Sequence, residues 1–418
     1  MEYFAVTGGR PLAGEVRVHG AKNSALPILA ATLLVRGESV IHNCPALTDI
    51  QTALDILSCL GCRVRRTGET VTVDAAHLTG TAIPDELMGR MRASVLFLGA
   101  LLARQGEASA CWPGGCALGR RPIDLHIRAF QALGAQVETR GEHLRLTAAR
   151  LAGRRLSLPF PSLGATENAM LAACGAEGDT VICNAAREPE ISDLQAFLCA
   201  MGAEVRGAGG SVITVTPKKP LHGCVHRVIP DRIVTATYLC AAAACGGDVL
   251  LRQADCRHLS TVTTALQQAG CRLDCGEEDI RLRSEGRPQA VTPVRTAPYP
   301  GFPTDCQAIF MAALLQSRGA TVFVENMFQS RYRHVPELIR MGADIRTESR
   351  VAVVCGVEQL HGADTVATDL RGGAALAVLA QGGIDLVILD IMMPFMDGMT
   401  CLREMRTRKI MTPVIMLT

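Results

Sequence analysis

Leu133-Gly134-Ala135-Gln136-Val137 has four near-copies in the chain: Leu60-Gly61-Cys62-Arg63-Val64, Met201-Gly202-Ala203-Glu204-Val205, Ala269-Gly270-Cys271-Arg272-Leu273 and Met341-Gly342-Ala343-Asp344-Ile345. The glycines recur at intervals of about seventy residues, which marks a repeat architecture. Each phrase closes a stretch of helical period, and its glycine sits where a helix end can turn left-handed. The alternating residues after the glycine predict a strand. A second helix, rich in Ala and Leu, precedes each phrase at 25–37, 91–106, 165–178, 233–247 and 306–319, with a sixth at 370–382. β-rich stretches such as Thr180-Val-Ile-Cys-Asn184 and Thr321-Val-Phe-Val-Glu325 follow the first five. One repeat therefore reads βαβαββ. Six first helices against five closing phrases leave a sixth unit begun at Asp369 and not completed in kind. The expectation is an α/β protein of two domains with three repeats in each.

Composition narrows the class. The 418 residues are 48% hydrophobic but only 4% aromatic, so the cores must be built from Ala, Leu, Val and Ile. A net charge of +2 supplies no basic stripe, which argues against a nucleic-acid partner. Seventeen scattered cysteines, odd in number, fit reduced thiols in a cytoplasm better than a secreted disulfide framework. Cys59-x-x-Cys62 has no second pair or histidines beside it and does not read as zinc. Cys62 and Cys271 occupy small-residue repeat positions and read as core. The first residues carry no signal-peptide pattern. The longest apolar stretches, such as 24–35, are too short for membrane insertion.

From Ile384 the character changes. Asp385-Leu-Val-Ile-Leu-Asp390 predicts a short buried strand, and Ile391-Met-Met-Pro-Phe-Met-Asp-Gly398 a loop. Residues 400–409 predict a helix capped by Thr400, and Pro413-Val-Ile-Met-Leu-Thr418 a second strand. This βαβ segment resembles a fragment of the receiver domain of response regulators, in which the residue matching Asp390 accepts a phosphoryl group. The resemblance also implies an acidic pair for magnesium and a later lysine, and neither has a counterpart in this sequence. Asp390 and Asp397 alone are too few oxygen ligands for such an ion.

Four runs in the first 382 residues carry chemistry. Lys22-Asn23 follows Gly20-Ala21 at the start of the first helix, where free N–H groups and a positive dipole end suit a phosphate. Trp112-Pro-Gly-Gly-Cys116-Ala-Leu-Gly-Arg-Arg121-Pro-Ile-Asp124-Leu-His126 sets a cysteine in a glycine-rich loop beside Arg120 and Arg121, which favour thiolate and attract an anion. Ser162-Leu163-Gly164-Ala-Thr-Glu-Asn168 is a turn entering a helix. Pro300-Gly-Phe-Pro-Thr-Asp305 places a carboxylate at a helix start, usually a capping position. Together with Pro11-Leu-x-Gly-Glu-Val-x-Val-x-Gly-Ala-Lys-Asn-Ser-Ala-Leu-Pro27, these runs resemble the cell-wall enolpyruvyl transferases, the UDP-N-acetylglucosamine 1-carboxyvinyltransferases, over residues 1–382.

That resemblance implies a two-domain inside-out α/β barrel built from βαβαββ repeats. Its domains would be 1–21 with 230–382, and 22–229; 383–418 would be a receiver-like fragment in place of the rest of the sixth repeat. It implies transfer of the enolpyruvyl group from phosphoenolpyruvate to the 3-hydroxyl of UDP-N-acetylglucosamine, releasing phosphate, as the first committed step of peptidoglycan synthesis. Partners would be these small molecules, with no metal or organic cofactor. By the resemblance Cys116 is the general acid that protonates C3 of phosphoenolpyruvate and the group that fosfomycin alkylates. Asp305 is the base, and Lys22, Arg92 and Arg121 stabilise phosphate and carboxylate charge. The implied substrate contacts are Lys22, Asn23, Arg92, Arg121, Pro122, Asp124, the turn Ser162, Leu163 and Gly164, then Asp231, Asp305, Met327 against uracil, Arg331, Asp369 and Arg371. Some members carry a lysine where Phe160 stands here. A further arginine that the family's sixth repeat supplies to phosphoenolpyruvate has no counterpart, so impaired turnover is expected. Three other readings stand beside this one. The shikimate-3-phosphate enzyme typically has Lys-Ser at the position of Lys22-Asn23; the others are a receiver-bearing signalling fusion, and a chimera joined near Gly382-Gly383 without a function as a whole.

Overall fold

The computed structural model describes residues 10–114, 122–218, 220–368 and 370–380. The first repeat runs β1 (Leu12–Arg17), α1 (Lys22–Ala31), β2 (Glu38–His42), α2 (Thr48–Cys59), β3 (Arg63–Thr67) and β4 (Thr70–Asp74). The second runs α3 (Asp85–Arg90), α4 (Leu96–Gln105), β5 (Glu107–Cys111), α5 (Asp124–Ala132), β6 (Gln136–Arg140) and β7 (His143–Thr147). In place of a first strand it has an isolated parallel bridge between Ala82 and Ser109. The third runs β8 (Arg155–Ser157), α6 (Leu163–Ala173), β9 (Thr180–Cys183), α7 (Pro189–Ala200), β10 (Glu204–Arg206) and β11 (Val212–Thr216). The fourth runs β12 (Val225–Arg227), α8 (Arg232–Cys245), β13 (Gly247–Arg252), α9 (Ser260–Gln268), β14 (Arg272–Cys275) and β15 (Asp279–Ser284). The fifth runs β16 (Val294–Arg295), α10 (Thr304–Ala313), β17 (Ala320–Val324), α11 (Val335–Arg340), β18 (Asp344–Glu348) and β19 (Val351–Cys355), and α12 (Leu370–Ala380) opens the sixth. The receiver-like segment 384–418, with its expected cap Thr400, lies outside the described residues.

The five phrase glycines end their helices as the repeat requires. Gly61, Gly134, Gly202, Gly270 and Gly342 all have φ between +91° and +99°. The next residue donates its N–H to the carbonyl five positions back: Cys62 to Leu57, Ala135 to Phe130, Ala203 to Leu198, Cys271 to Leu266 and Ala343 to Leu338, at 3.0–3.2 Å. This closure satisfies a helix-end carbonyl and turns the chain into the following strand.

Three of the first helices stop short of expectation. α1 ends at Ala31, α6 at Ala173 and α10 at Ala313, each about five residues before the glycine taken as its end. Beyond α1 the Thr32 hydroxyl donates to the Leu29 carbonyl at 2.6 Å, and the chain tightens into a 3-10 turn over Thr32–Leu34. Leu33 and Val35 after α1, and Leu314 and Leu315 after α10, stay buried. Hydropathy therefore continues past the helix end and does not mark it.

The described chain forms two compact units. The first spans His19 to Ile229, and the second takes the chain up to Val18 and from Pro230 onward. In the first unit the sheets are ordered β12-β2-β4-β3, β5-β7-β6 and β10-β11-β9-β8. In the second they are ordered β1-β13-β15-β14 and β16-β17-β19-β18. The first strand of a repeat pairs parallel, as β8 does with β9 and β16 with β17. The first and fourth repeats exchange these strands: β1 pairs with β13, and β12 with β2. That exchange is why residues 12–17 belong to the second unit.

Helices occupy the interior of each unit. α1 is buried from Ser24 to Ala31 and α6 from Ala165 to Ala173, and a helix apolar on all sides must be enclosed. α4 packs on both of them, and in the second unit α8, α10 and α12 pack on one another. Phe310 contributes to that second core between Phe302 and Phe323, with ring centroids 5.5 and 6.3 Å away. The sheets lie over the helices with one face wet. On β15, Ile280 and Leu282 point inward, while Arg281 and Arg283 pair with Asp248 and Asp274 outside.

The described cysteines are free thiols. Cys62 and Cys271 are core, as their repeat positions predict, and burial pushes the Cys62 thiol up to about 12. Among the described residues no group of His, Cys, Asp and Glu could hold a metal ion. No helix among them is long and apolar enough to cross a membrane.

Candidate active site

The first unit holds three sets of the predicted residues. Lys22 is the first residue of α1, where Ala21 offers no side-chain cap. Its ammonium donates to Asp49 Oδ2 at 2.8 Å, and its side chain is 11% exposed. Asp49 sits in the first turn of α2, where a carboxylate complements the helix dipole. Asn23, next along α1, is half-buried. Arg92 opens the 3-10 turn Arg92–Val95 and donates to the Pro122 carbonyl at 3.0 Å. Two predicted substrate residues are thereby tied together. Cys116 and Arg121 lie outside the described residues. Asp124 is exposed in the first turn of α5.

The third set is the turn into α6. Ser162 caps that helix, its Oγ accepting the Ala165 N–H at 3.4 Å. Leu163 and Gly164 form the first turn and are half-buried. A Cβ on Gly164 would lie 3.0 Å from His126 Cε1, so the absence of a side chain lets the turn rest on that ring. Asn168 orients the ring, its Nδ2 donating to His126 Nδ1 at 2.8 Å. The amide itself is fixed because Oδ1 accepts the Gly99 N–H and Nδ2 also donates to the Val95 carbonyl, both at 3.0 Å. Burial, and then the charge of Arg92, push His126 down to about 3. The imidazole is therefore neutral, accepting at Nδ1 and carrying its proton on Nε2. His126 and Asn168 stand in the quoted runs, but their types alone assigned them no role. Glu167 beside them is buried near Glu190 and Glu188; burial first, then those two charges, raise it well above the ordinary carboxyl range.

In the second unit the predicted residues form one ion network. Asp305 is not the cap of α10; that position is Pro303, which makes no side-chain bond. The Asp305 carboxylate accepts Arg331 Nη2 on Oδ1 at 2.7 Å and Arg371 Nη2 on Oδ2 at 3.1 Å. The two arginine side chains are 2% and 7% exposed against 31% for Asp305, so the carboxylate is the accessible member. Burial works against the charge of Arg371, and the carboxylates of Asp305 and Asp231 outweigh it, leaving that guanidinium raised. Arg331 also donates to the Thr304 carbonyl at 3.0 Å and lies over the Phe328 ring.

Asp231 and Met327 are held differently. Asp231 caps α8, its Oδ1 accepting Ile233 N–H at 2.9 Å and Val234 N–H at 3.0 Å, so that oxygen serves the backbone. Half-buried Met327 is placed by Glu325, whose Oε1 accepts the N–H groups of Met327 and Phe328 at 2.8 and 3.0 Å. Glu325 Oε2 accepts the Thr304 hydroxyl at 3.0 Å, so one buried carboxylate links the Met327 turn to the start of α10. The sequence reading assigned Glu325 no role. Its signal was an acid directly after an apolar strand, a position that is buried only when paired. Asp369 lies outside the described residues.

A family model described as EPSP synthase (3-phosphoshikimate 1-carboxyvinyltransferase) matches residues 6–393. The chain belongs to the EPSP synthase family of enolpyruvyl transferases. Among its relatives in that family, UDP-N-acetylglucosamine 1-carboxyvinyltransferase 2 of Caldanaerobacter subterraneus subsp. tengcongensis is 46% identical over 390 residues, covering 93% of this chain and 94% of the relative. UDP-N-acetylglucosamine 1-carboxyvinyltransferase of Dichelobacter nodosus is 47% identical over 381 residues, covering 91% of each. Among solved structures, the enolpyruvyl transferase NikO from Streptomyces tendae superposes with a TM-score of 0.84 at 22% identity, covering 100% of this chain and 99% of that one. EPSP synthase from Acinetobacter baumannii gives 0.74 at 18% identity, with 100% of each chain covered. These structural likenesses establish the enolpyruvyl transferase fold; the sequence relatives separate the members within it.

Proposed function

We propose that this chain transfers the enolpyruvyl group of phosphoenolpyruvate to the 3-hydroxyl of UDP-N-acetylglucosamine. The observation that carries this reading is identity of 43–47% over at least 91% of the chain to relatives named for that reaction. The geometry supports it. Asp305 presents a partly exposed carboxylate between two buried guanidiniums, and Lys22 opens an enclosed helix. In the proposed reaction the 3-hydroxyl oxygen bonds to C2 as its proton passes to Asp305, and the Cys116 thiol gives a proton to C3. The tetrahedral adduct then returns a proton from C3 to the Cys116 thiolate, the C2–O bond to phosphate breaks as the C2–C3 double bond re-forms, and inorganic phosphate leaves with the proton held by Asp305. Lys22, Arg92 and Arg121 offset the charge on phosphate and carboxylate.

The same reading takes 1–21 with 230–382, and 22–229, as the catalytic domains. It places the Ser162-Leu163-Gly164 turn and Met327 on the nucleotide. It also carries a cytoplasmic location, a part in cell-wall growth and alkylation of Cys116 by fosfomycin. The same reading expects slow turnover, because the residues from 384 resemble a receiver fragment where the family's sixth repeat supplies an arginine to phosphoenolpyruvate. Phosphate release from phosphoenolpyruvate tests both parts. Slow release that requires UDP-N-acetylglucosamine, together with protection of Cys116 from alkylation by that nucleotide, is the expected result. Release with shikimate 3-phosphate instead would overturn the substrate, and family-like turnover would overturn the impairment.

A further inference from the structure

Three hydrogen bonds converge on the buried carboxylate of Asp193, on α7. Ser24 Oγ donates to Oδ2 at 2.5 Å, His226 Nε2 to Oδ1 at 2.8 Å, and the Ile229 N–H to Oδ2 at 3.2 Å. Ser24 directly follows Lys22 and Asn23 in α1. Ile229 in turn accepts the Ala21 N–H on its carbonyl at 2.7 Å. His226 stands on β12 with its ring edge-on to Phe197, centroids 5.4 Å apart. One carboxylate therefore holds the first turn of α1, the strand β12 and the last residue before Pro230.

The order of these groups excludes a nucleophilic serine. Such a triad needs the imidazole between hydroxyl and carboxylate, to take the hydroxyl proton. Here the carboxylate lies between the other two, and Ser24 is fully buried. The arrangement instead fixes a position. Charge-assisted bonds to a carboxylate are short and directional, and both Asp193 oxygens are engaged. α1 has no side-chain cap of its own at Ala21, so Asp193 anchors its first turn from outside the helix.

We propose that Asp193 is a positioning residue for the substrate-binding start of α1, acting through Ser24 on Lys22 and Asn23. The roles of Lys22 and Asn23 rest on the function proposed above; the anchoring does not. The first measurement accordingly uses no substrate: acylation of Lys22 by an amine-reactive reagent, read by mass spectrometry on the full chain. Ser24→Ala should raise the labelling rate about tenfold through loss of one bond to a buried charge. Asp193→Asn, equal in size but uncharged, should raise it likewise, and Ser24→Thr, which keeps the hydroxyl, should stay near the native rate. The second measurement is the affinity for phosphoenolpyruvate, with UDP-N-acetylglucosamine present, in a cycle with Lys22→Ala. Ser24→Ala should weaken binding about tenfold in the native background and change little beside Lys22→Ala, because its effect passes through that side chain. Unchanged labelling in both Ser24→Ala and Asp193→Asn, or equal losses of affinity in the two backgrounds, overturns the proposal. Raised labelling in a chain whose native form does not bind phosphoenolpyruvate keeps the anchoring and overturns the function.

Discussion

Asp305 shows how much a single side chain's partners decide. With a guanidinium on each oxygen, it accepts a proton only by loosening an ion pair, and without it two buried cations would lose their anion. Asp305→Asn keeps the size of the side chain and removes the charge. It should fold, and kcat/KM measured by phosphate release should fall by about 10²–10⁴-fold, the usual weight of a proton-transfer group. Glu167 makes a different prediction. Its folded pKa is raised, so folding favours the protonated form; stability is full below the unfolded value of about 4.3 and declines as pH rises toward the folded value. Glu167→Gln is neutral at every pH and escapes that decline. Melting temperatures at pH 5 and pH 8 should show the variant gaining on the native chain as pH rises; a constant difference would mean that Glu167 is not held protonated.

At the scale of the element, the helix-ending glycines carry most of the local information. Gly270 and Gly61 share a left-handed φ but differ in surroundings. A Cβ at Gly270 meets nothing within 4 Å, whereas at Gly61 it would lie 2.9 Å from the Thr79 nitrogen and 3.0 Å from the His77 carbonyl oxygen. Gly270→Ala should cost about 1–2 kcal/mol, the penalty of an L-residue in that conformation. Gly61→Ala should cost more, because the backbone must also move. Denaturant midpoints of the two variants provide the check, and equal losses would show that the Thr79 turn yields freely. The turn 326–328 is organised by the residue just before it. The N–H groups of Met327 and Phe328 converge on the carboxylate of Glu325, two and three positions back.

At the scale of the whole molecule, the exchange of first strands ties the chain's beginning to its second half. β1 pairs with β13 over six residues, from Leu12↔Gly247 to Arg17↔Arg252. Deleting residues 1–18 would leave β13 as an unpaired edge in the second unit and touch no sheet of the first. Hydrogen exchange on the truncated chain should show protection lost in 247–284 and kept in 38–74; uniform loss would mean that the two units unfold together. The sequence by itself determined the repeat, the helix ends at the five glycines and the enclosed helices. These features depend on backbone preference, capping and hydropathy within a few residues of one another. Lys22 at a helix start and the turn at Ser162 were legible for the same reason; that Ser162 caps α6 came from the structure. Tertiary structure alone decided that β1 pairs with β13, because short strands of similar pattern can pair with several partners and only the assembled units select one. It alone brought Asp305, Arg331 and Arg371 together, set Glu325 against Thr304, gave Asp193 its partners, and held His126 neutral. The environment of a charge is set by segments far apart in the chain, and no local preference encodes it.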